Sequence, residues 1–415
     1  MTEVLAHSPR PARRPAIITC FGAVAIAIAV SAIQGLQRGY DGNLVTFRLA
    51  SDHLRAGLDM YGSYPSLQPD LYKYSPTFAL LFTPWALMPF AAAHLAWMLF
   101  CSLSLWFAMT SLYPDYRGAV AALIVSASLV LDLQRSQTNA LVAAMMIGAL
   151  VASQRQHTGR AALLVGLGTA VKLFPIVAAL GIIWQPSKRR AILAGAVVTV
   201  ALLALPLLVT TPVLLWRQYL AWFARVSLDS GSGVAQCVGC VDTSANGAAL
   251  YGGIMYQLRV LFGPLPNLPI QLAGLVAMLL SVVMRRSAWI DPRFQRLSLA
   301  ALLLFCLVFN HQAESPSFVI AVCGMAIWYI ERGPGRWQLP LLIVCAGIAT
   351  LGAGDIVPRA FRLAVMLPYR VRTIPCLVMW VVVLVELWRF PARSASDVAE
   401  AHQSDTGPLP LSAQT

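Results

Sequence analysis

Charged residues are scarce in this chain. Asp, Glu, Lys and Arg make up 11% of 415 residues, against about a quarter in soluble domains. With 58% hydrophobic residues beside them, too little polar surface remains to face water all round, which excludes an ordinary water-soluble domain. The alternating ten-residue segments of a porin-like barrel are missing too. No P-loop, Gly-rich dinucleotide fingerprint or His-Glu-x-x-His occurs, so no local motif marks a nucleotide or a catalytic zinc. Of 8 cysteines, only Cys237 and Cys240 form a close pair. Without a second pair they do not make a zinc site, and the βαβ setting of a thioredoxin-type motif is absent. A local disulfide in an oxidising compartment and two free thiols both stay open.

What the chain does have is apolar runs, at 17–33, 95–112, 191–210, 268–284 and 377–387. Several approach the roughly 20 residues that a helix needs to cross a bilayer core of about 30 Å. The fold class is therefore an all-α polytopic membrane protein. The net charge of +13 sits in short clusters between these runs, the pattern of cytoplasmic loops and not of a nucleic-acid surface. One threading places 10–14, 155–160, 188–190, 285–296, 332–336 and 389–393 together in the cytoplasm. Helices are then expected near 17–36, 92–112, 118–132, 138–153, 191–211, 267–284, 296–309, 317–331, 337–353 and 371–390. Segments 161–172 and 173–184 add a tight hairpin, which brings the total to about twelve. Arms of about 12 residues reach about 18 Å, so the hairpin tip at Lys172 falls inside the membrane. The stretch 77–90, with Pro84 and Pro89, reads as a short or re-entrant helix.

This threading makes 1–393 a single membrane domain with both termini cytoplasmic. It places outer loops at 37–75 and 212–266 and a disordered tail at 394–415. No small-residue cleavage site follows Ala32, so the first run reads as a retained helix. Nine of the 17 acidic residues fall on the outer side, namely Asp41, Asp52, Asp59, Asp70, Asp132, Asp229, Asp242, Glu314 and Asp355. They played no part in setting the orientation.

Polar groups among apolar helices are costly and point to function. Here they are Asp41 beside Arg38, Lys73 with Tyr74, the 132–139 segment with Asp132, Gln137 and Asn139, Lys172, His311 with Glu314, and Arg359 with Arg362. Each has a plainer reading as well. Asp41 can be a loop acid and Lys172 can snorkel to headgroups. The 132–139 segment can be a capped turn, and His311 and Glu314 a structural pair. Taken together, a carboxylate base with cationic phosphate ligands is what transfer from an anionic lipid carrier requires. No cofactor is expected; a divalent metal is compatible with the acids, but no ligand spacing implies one.

The segments 54–61 and 71–81 resemble the first outer loop of glycosyltransferase family 87. Gln137-Thr138-Asn139 resembles that family's Gly-Gln-x-Asn segment, with Ser136 in the glycine's place, and 170–175 is similar to its Lys-x-x-Pro hairpin. Segments 310–320 and 355–377 look like a bacterial branch of the family, and the resemblance runs from about 17 to 390. It implies a GT-C-like bundle with short outer-loop helices at the cell inner membrane, serving the cell envelope. The implied reaction is inverting transfer of mannose, or another hexose or pentose, from a polyprenyl-phosphate donor to a lipid or glycan acceptor. That would take place on the extracytoplasmic face, with membrane lipids but no nucleic acid as partners. The family's catalytic acid directly follows the first helix, which nominates Asp41. The ungapped register, however, falls on Asn43, and Asp52 and Glu314 stand in reserve. Arg38, Lys73, Tyr74, Gln137, Asn139, Lys172, His311 and Arg359 are the expected donor-phosphate and substrate residues. Two other readings stay open. One is a transporter or flippase of lipid-linked sugars, for which no clear repeat between the halves appears; the other is a scaffold that keeps the fold without catalysis.

Overall fold

Some helices begin where the sequence supplies a capping side chain. The computed structural model describes residues 13–38, 42–68, 70–231, 252–263, 265–352, 357–366 and 368–391, and among them there is no strand. The Asp115 carboxylate accepts from the Arg117 backbone N–H at 2.9 Å and starts the Tyr116–Gln134 helix two residues earlier than the apolar run alone suggests. Asp291 accepts from the Arg293 N–H at 2.8 Å. With Pro292 at the first helical position, it moves the start expected at 296 back to Pro292–Val308. Gly57 and Gly333, at φ 71° and 76°, end Asn43–Ala56 and Phe318–Arg332 in the left-handed region that glycine adopts freely.

The short hairpin differs from expectation in its second arm. Thr158–Val171 is α-helical, but Phe174–Trp184 is a 3-10 helix of 11 residues. At about 2.0 Å per residue it reaches about 22 Å, against about 16 Å for an α-helix of that length. The 14-residue first arm reaches about 21 Å. The two arms therefore match in length despite unequal residue counts, and Lys172 sits between them.

Three helices, Asn139–Gln154, Pro292–Val308 and Phe318–Arg332, are buried almost all round and form the centre. Phe318–Arg332 packs against Pro292–Val308, Tyr116–Gln134 and Gln338–Leu351, while Asn139–Gln154 packs against Phe90–Leu112 and Thr158–Val171. Arg13–Arg38 lies along Tyr116–Gln134, and Thr373–Trp388 along Pro292–Val308. Among the described residues, three runs are long and apolar enough to cross a membrane by length and composition: Phe90–Leu112, Tyr116–Gln134 and Lys188–Leu208. The other apolar helices have 10 to 17 residues, because caps and polar connectors cut the runs short. Length alone therefore does not establish a count of twelve.

Polar contacts sort the connectors into two ends. At one end Thr158 Oγ1 donates to Gln185 Oε1 at 2.9 Å, and Arg332 Nε lies 3.2 Å from Glu386 Oε1. There too Glu331 receives Arg296 Nε at 2.5 Å and the Tyr113 hydroxyl at 2.7 Å, so a buried charge is paired where three helices meet. This basic end carries the Lys/Arg clusters. The other end gathers residues 42–43, 70–76, 135–139, 172–174 and 309–315.

Gly324 marks a close helix approach in the centre. A Cβ there would lie 2.8 Å from the Ala300 carbonyl oxygen and 3.1 Å from Leu304 Cγ. Small residues at such crossings let helices pack tightly where no water drives them together. Gly324→Leu is expected to cost about 1–3 kcal/mol by overpacking, read as a lower unfolding temperature of the detergent-purified protein.

Candidate active site

A cavity of about 360 Å³ opens at the end opposite the basic clusters. One wall is the 70–76 segment, which side-chain contacts hold rather than helix geometry. Ser75 Oγ accepts from the Phe78 N–H at 3.2 Å, capping Pro76–Leu81, and itself donates to the Ala170 carbonyl at 2.6 Å. The Tyr61 hydroxyl donates to the Tyr74 carbonyl at 2.8 Å, and Trp222 Nε1 to the Lys73 carbonyl at 3.0 Å. The Tyr74 ring meets Phe47 edge-on at 4.9 Å and Phe78 at 5.1 Å. Such aromatic pairs add to area burial, and these fix Lys73 and Tyr74 on the cavity wall.

The second wall is the turn between Tyr116–Gln134 and Asn139–Gln154. Asp132 is fully buried. Its two carboxylate oxygens accept from Asn139 Nδ2 at 2.9 Å and from the Ala140 N–H at 3.1 Å. With its amide nitrogen so committed, Asn139 presents Oδ1 to Lys172 Nζ at 2.6 Å. The Lys172 ammonium also lies 6.0 Å from the Tyr74 ring centroid, within cation–π range. An ammonium at the hairpin tip is thus linked through one amide to a buried carboxylate, and it lines the cavity. Gln137 does the same for the third wall: its Nε2 donates to Glu314 Oε2 at 2.9 Å, and its Oε1 accepts from the Tyr74 hydroxyl at 3.4 Å.

Glu314 belongs to the connector between Pro292–Val308 and Phe318–Arg332, where Pro316 and the local hydrogen bonds interrupt helix. Asn310 Oδ1 accepts from the Gln312 N–H at 2.9 Å, and Arg372 Nη1 donates to Ser315 Oγ at 2.8 Å. Gln271 Nε2 donates to the Phe309 carbonyl at 3.0 Å and lies 3.3 Å from His311 Nδ1. Burial pushes the Glu314 carboxyl above its ordinary range, Lys172 pulls it back, and Asp70 pushes it up again, with Lys73 and Arg135 opposing. Burial, with the Glu314 charge, also raises the Tyr74 phenol, which stays a neutral donor. Two lysines, two carboxylates and several neutral donors therefore face one cavity. This set can hold an anion and take up a proton in the same space.

The sequence profile of glycosyltransferase family 87 matches residues 72–309, more than half of the chain. The chain belongs to glycosyltransferase family 87. No curated protein matches it. Membership makes the chain a membrane glycosyltransferase by family, and the matched span runs from the 70–76 wall to the start of the Glu314 connector.

Of the residues nominated from sequence, Lys73, Tyr74, Gln137, Lys172, His311 and Glu314 line this cavity. Asn139 stands one layer behind, holding Lys172. Two other nominated residues do not line this cavity. Asp52 is exposed on Asn43–Ala56 and paired with Arg55, because it faces away from the buried side of that helix. Arg359 is exposed at a short turn of helix and is not on the cavity wall. Asp41, Cys237, Cys240 and the tail from 394 lie outside the described residues, and so does the side chain of Arg38. Among the polar wall residues that were not nominated are Asn43, Asp70 and Gln271. Gln271 was the findable one, a polar side chain inside an apolar run. Asn43 was known only as the family's acid register; it does reach the wall, but carries an amide there. Among the described residues, no three His, Cys, Asp or Glu gather as a metal site.

Ser136 explains its own departure from the family's glycine. It is buried at φ 49°, where an L side chain is strained, and its Oγ lies 2.9 Å from His94 Nδ1. Both Ser136→Gly and Ser136→Ala lose that contact, but only glycine relieves the backbone. Ser136→Gly is therefore expected to be about 1 kcal/mol more stable than Ser136→Ala in a chemical-unfolding comparison.

Proposed function

We propose that this chain transfers a sugar from a polyprenyl-phosphate donor to a hydroxyl of a lipid or glycan acceptor, at the extracytoplasmic face of the inner membrane. The observation that carries this reading is Glu314, a carboxylate held by Gln137 in the same cavity as Lys172 and Lys73. Glu314 takes the proton of the acceptor hydroxyl as its oxygen attacks the anomeric carbon. The bond from that carbon to the phosphate oxygen breaks on the opposite side, inverting the centre. Lys172 and Lys73 stabilise the departing lipid phosphate. A nucleotide sugar has no place in this scheme.

The topology behind the proposal is an alternation between the two ends. In that topology the apolar segments from Arg13–Arg38 to Thr373–Trp388 would run to and fro as about twelve passages, three of which are long and apolar enough to span by themselves. The passage 174–184 counts because its 3-10 rise lengthens it. The basic end then faces the cytoplasm, which suits the Lys/Arg asymmetry. Asn43 on the wall favours Glu314 over a carboxylate in the family's register. The match to a glycosyltransferase family weighs against a flippase, and a carboxylate facing two lysines across one cavity weighs against an inert scaffold.

The test is turnover of a panel of labelled polyprenyl-phosphate sugars by the purified protein. Glu314→Gln keeps an acceptor for Gln137 and removes the basicity; it should lower turnover about 100-fold or more. Lys172→Met should do likewise, while Asp52→Asn should leave turnover near normal. A Glu314→Gln enzyme with normal turnover, beside an inactive Asp70→Asn, would move the base to Asp70.

The pH profile carries a separate sign. A raised carboxyl stays protonated to higher pH, and a base must be deprotonated. Turnover should therefore rise with pH through a midpoint above the ordinary Glu value of about 4.3. That rising limb should be absent from the residual activity of Glu314→Gln.

A further inference from the structure

A second cleft, of about 560 Å³, opens at the basic end beside Thr373–Trp388. Its rim carries Arg293, Arg332 and Arg389, and a single acid, Glu386, lines it with them. Arg332 Nε lies 3.2 Å from Glu386 Oε1. Arg293 Nε lies 3.7 Å from Glu331, whose carboxylate is already engaged by Arg296 and Tyr113. Among the described residues no acid is paired with Arg389. The rim thus keeps a surplus of positive charge. The arginine side chains are exposed, Arg293 at 57% and Arg332 at 40%.

Below the rim the lining turns aliphatic, through Leu297, Val381 and Val385. Val381 and Val385 are 47% and 40% exposed, so this floor opens on the lipid-facing side of the bundle. Trp337, 47% exposed, lines the cleft together with the arginines, and tryptophan is enriched where headgroups meet acyl chains. Guanidinium forks match phosphate oxygens, and a soluble anion has no use for an aliphatic floor.

We propose that this cleft binds one anionic glycerophospholipid, its phosphate among Arg293, Arg332 and Arg389 and an acyl chain along Leu297, Val381 and Val385. Basic pockets between membrane helices take such headgroups by charge and by apolar contact together. The site lies at the opposite end from the active-site cavity, so it stands or falls independently of the donor proposed there.

Native mass spectrometry of the detergent-purified full chain decides it, with phosphatidylglycerol and phosphatidylcholine of the same acyl chains as probes. Phosphatidylglycerol should be retained about tenfold more strongly. Arg293→Gln with Arg389→Gln should remove that preference; Arg332 is left in place because it balances Glu386. Val381→Trp with Val385→Trp fills the floor and keeps every charge, and it should remove retention too. Arg160→Gln with Arg189→Gln, basic positions outside the cleft, should change nothing. Equal retention of the two lipids overturns the proposal. So does retention that survives either pair of cleft substitutions, or that falls equally in the Arg160 and Arg189 control. Glycerol phosphate competing as well as the lipid would make this an ordinary anion site and overturn it also. Should the tryptophans prevent folding, the Arg293 and Arg389 pair gives the same decision.

Discussion

An ammonium and a carboxylate placed among apolar helices must find each other, and here they do so through one amide. Desolvating either ion alone costs several kcal/mol. Asp132 is fully buried, and Lys172 sits at the tip of a hairpin that ends among other helices. Asn139 joins them, donating to Asp132 and accepting from Lys172. Because the carboxylate fixes which way the amide faces, it also fixes where the ammonium points. The rest of the cavity is arranged around that cation: the Tyr74 ring beneath it, Lys73 on the adjacent wall, and Glu314 on Gln137 opposite.

Two backbone departures make the arrangement fit. The 3-10 arm at Phe174–Trp184 matches its α-helical partner in length, so the tip is held at a set height. The left-handed Ser136 turns the chain sharply before Gln137, whose side chain then reaches both Tyr74 and Glu314. A run of regular α-helix at either place would carry Lys172 or Gln137 out of reach. Strain of this kind is found where structure around it over-determines the geometry. Here Trp97 Nε1 clamps the carbonyls of Ser136 and Gln137 at 3.2 and 3.3 Å.

Most of the architecture was legible because apolar runs and basic clusters are properties of segments. Helix starts were less so: a capping Asp115 or Asp291 moves a boundary without changing hydropathy. The 3-10 arm was not legible, since its composition is as apolar as an α-helix of the same length. At the site, Lys73, Tyr74, Gln137, Lys172, His311 and Glu314 stood out as polar groups in apolar surroundings, and they line one cavity. Asp52, held only in reserve, does not: it falls with Arg48 and Arg55 on the face of Asn43–Ala56 opposite the buried Leu44, Phe47, Ala50 and Leu54. Asp70 was visible only as one acid among several in a long loop; its place on the wall depends on aromatic packing between residues distant in sequence.

In the mechanism we propose, the Lys172 end of this cavity receives the phosphate of a lipid-linked sugar while Glu314 faces the reacting carbon. A structure of the protein with a polyprenyl-phosphate sugar bound tests it most directly. Phosphate oxygens are expected at about 2.7–3.2 Å from Lys172 Nζ, with the sugar between that phosphate and the Glu314 carboxylate. A phosphate seated elsewhere, beside Arg359 or at the basic end, with the Glu314 cavity empty of sugar, would contradict it.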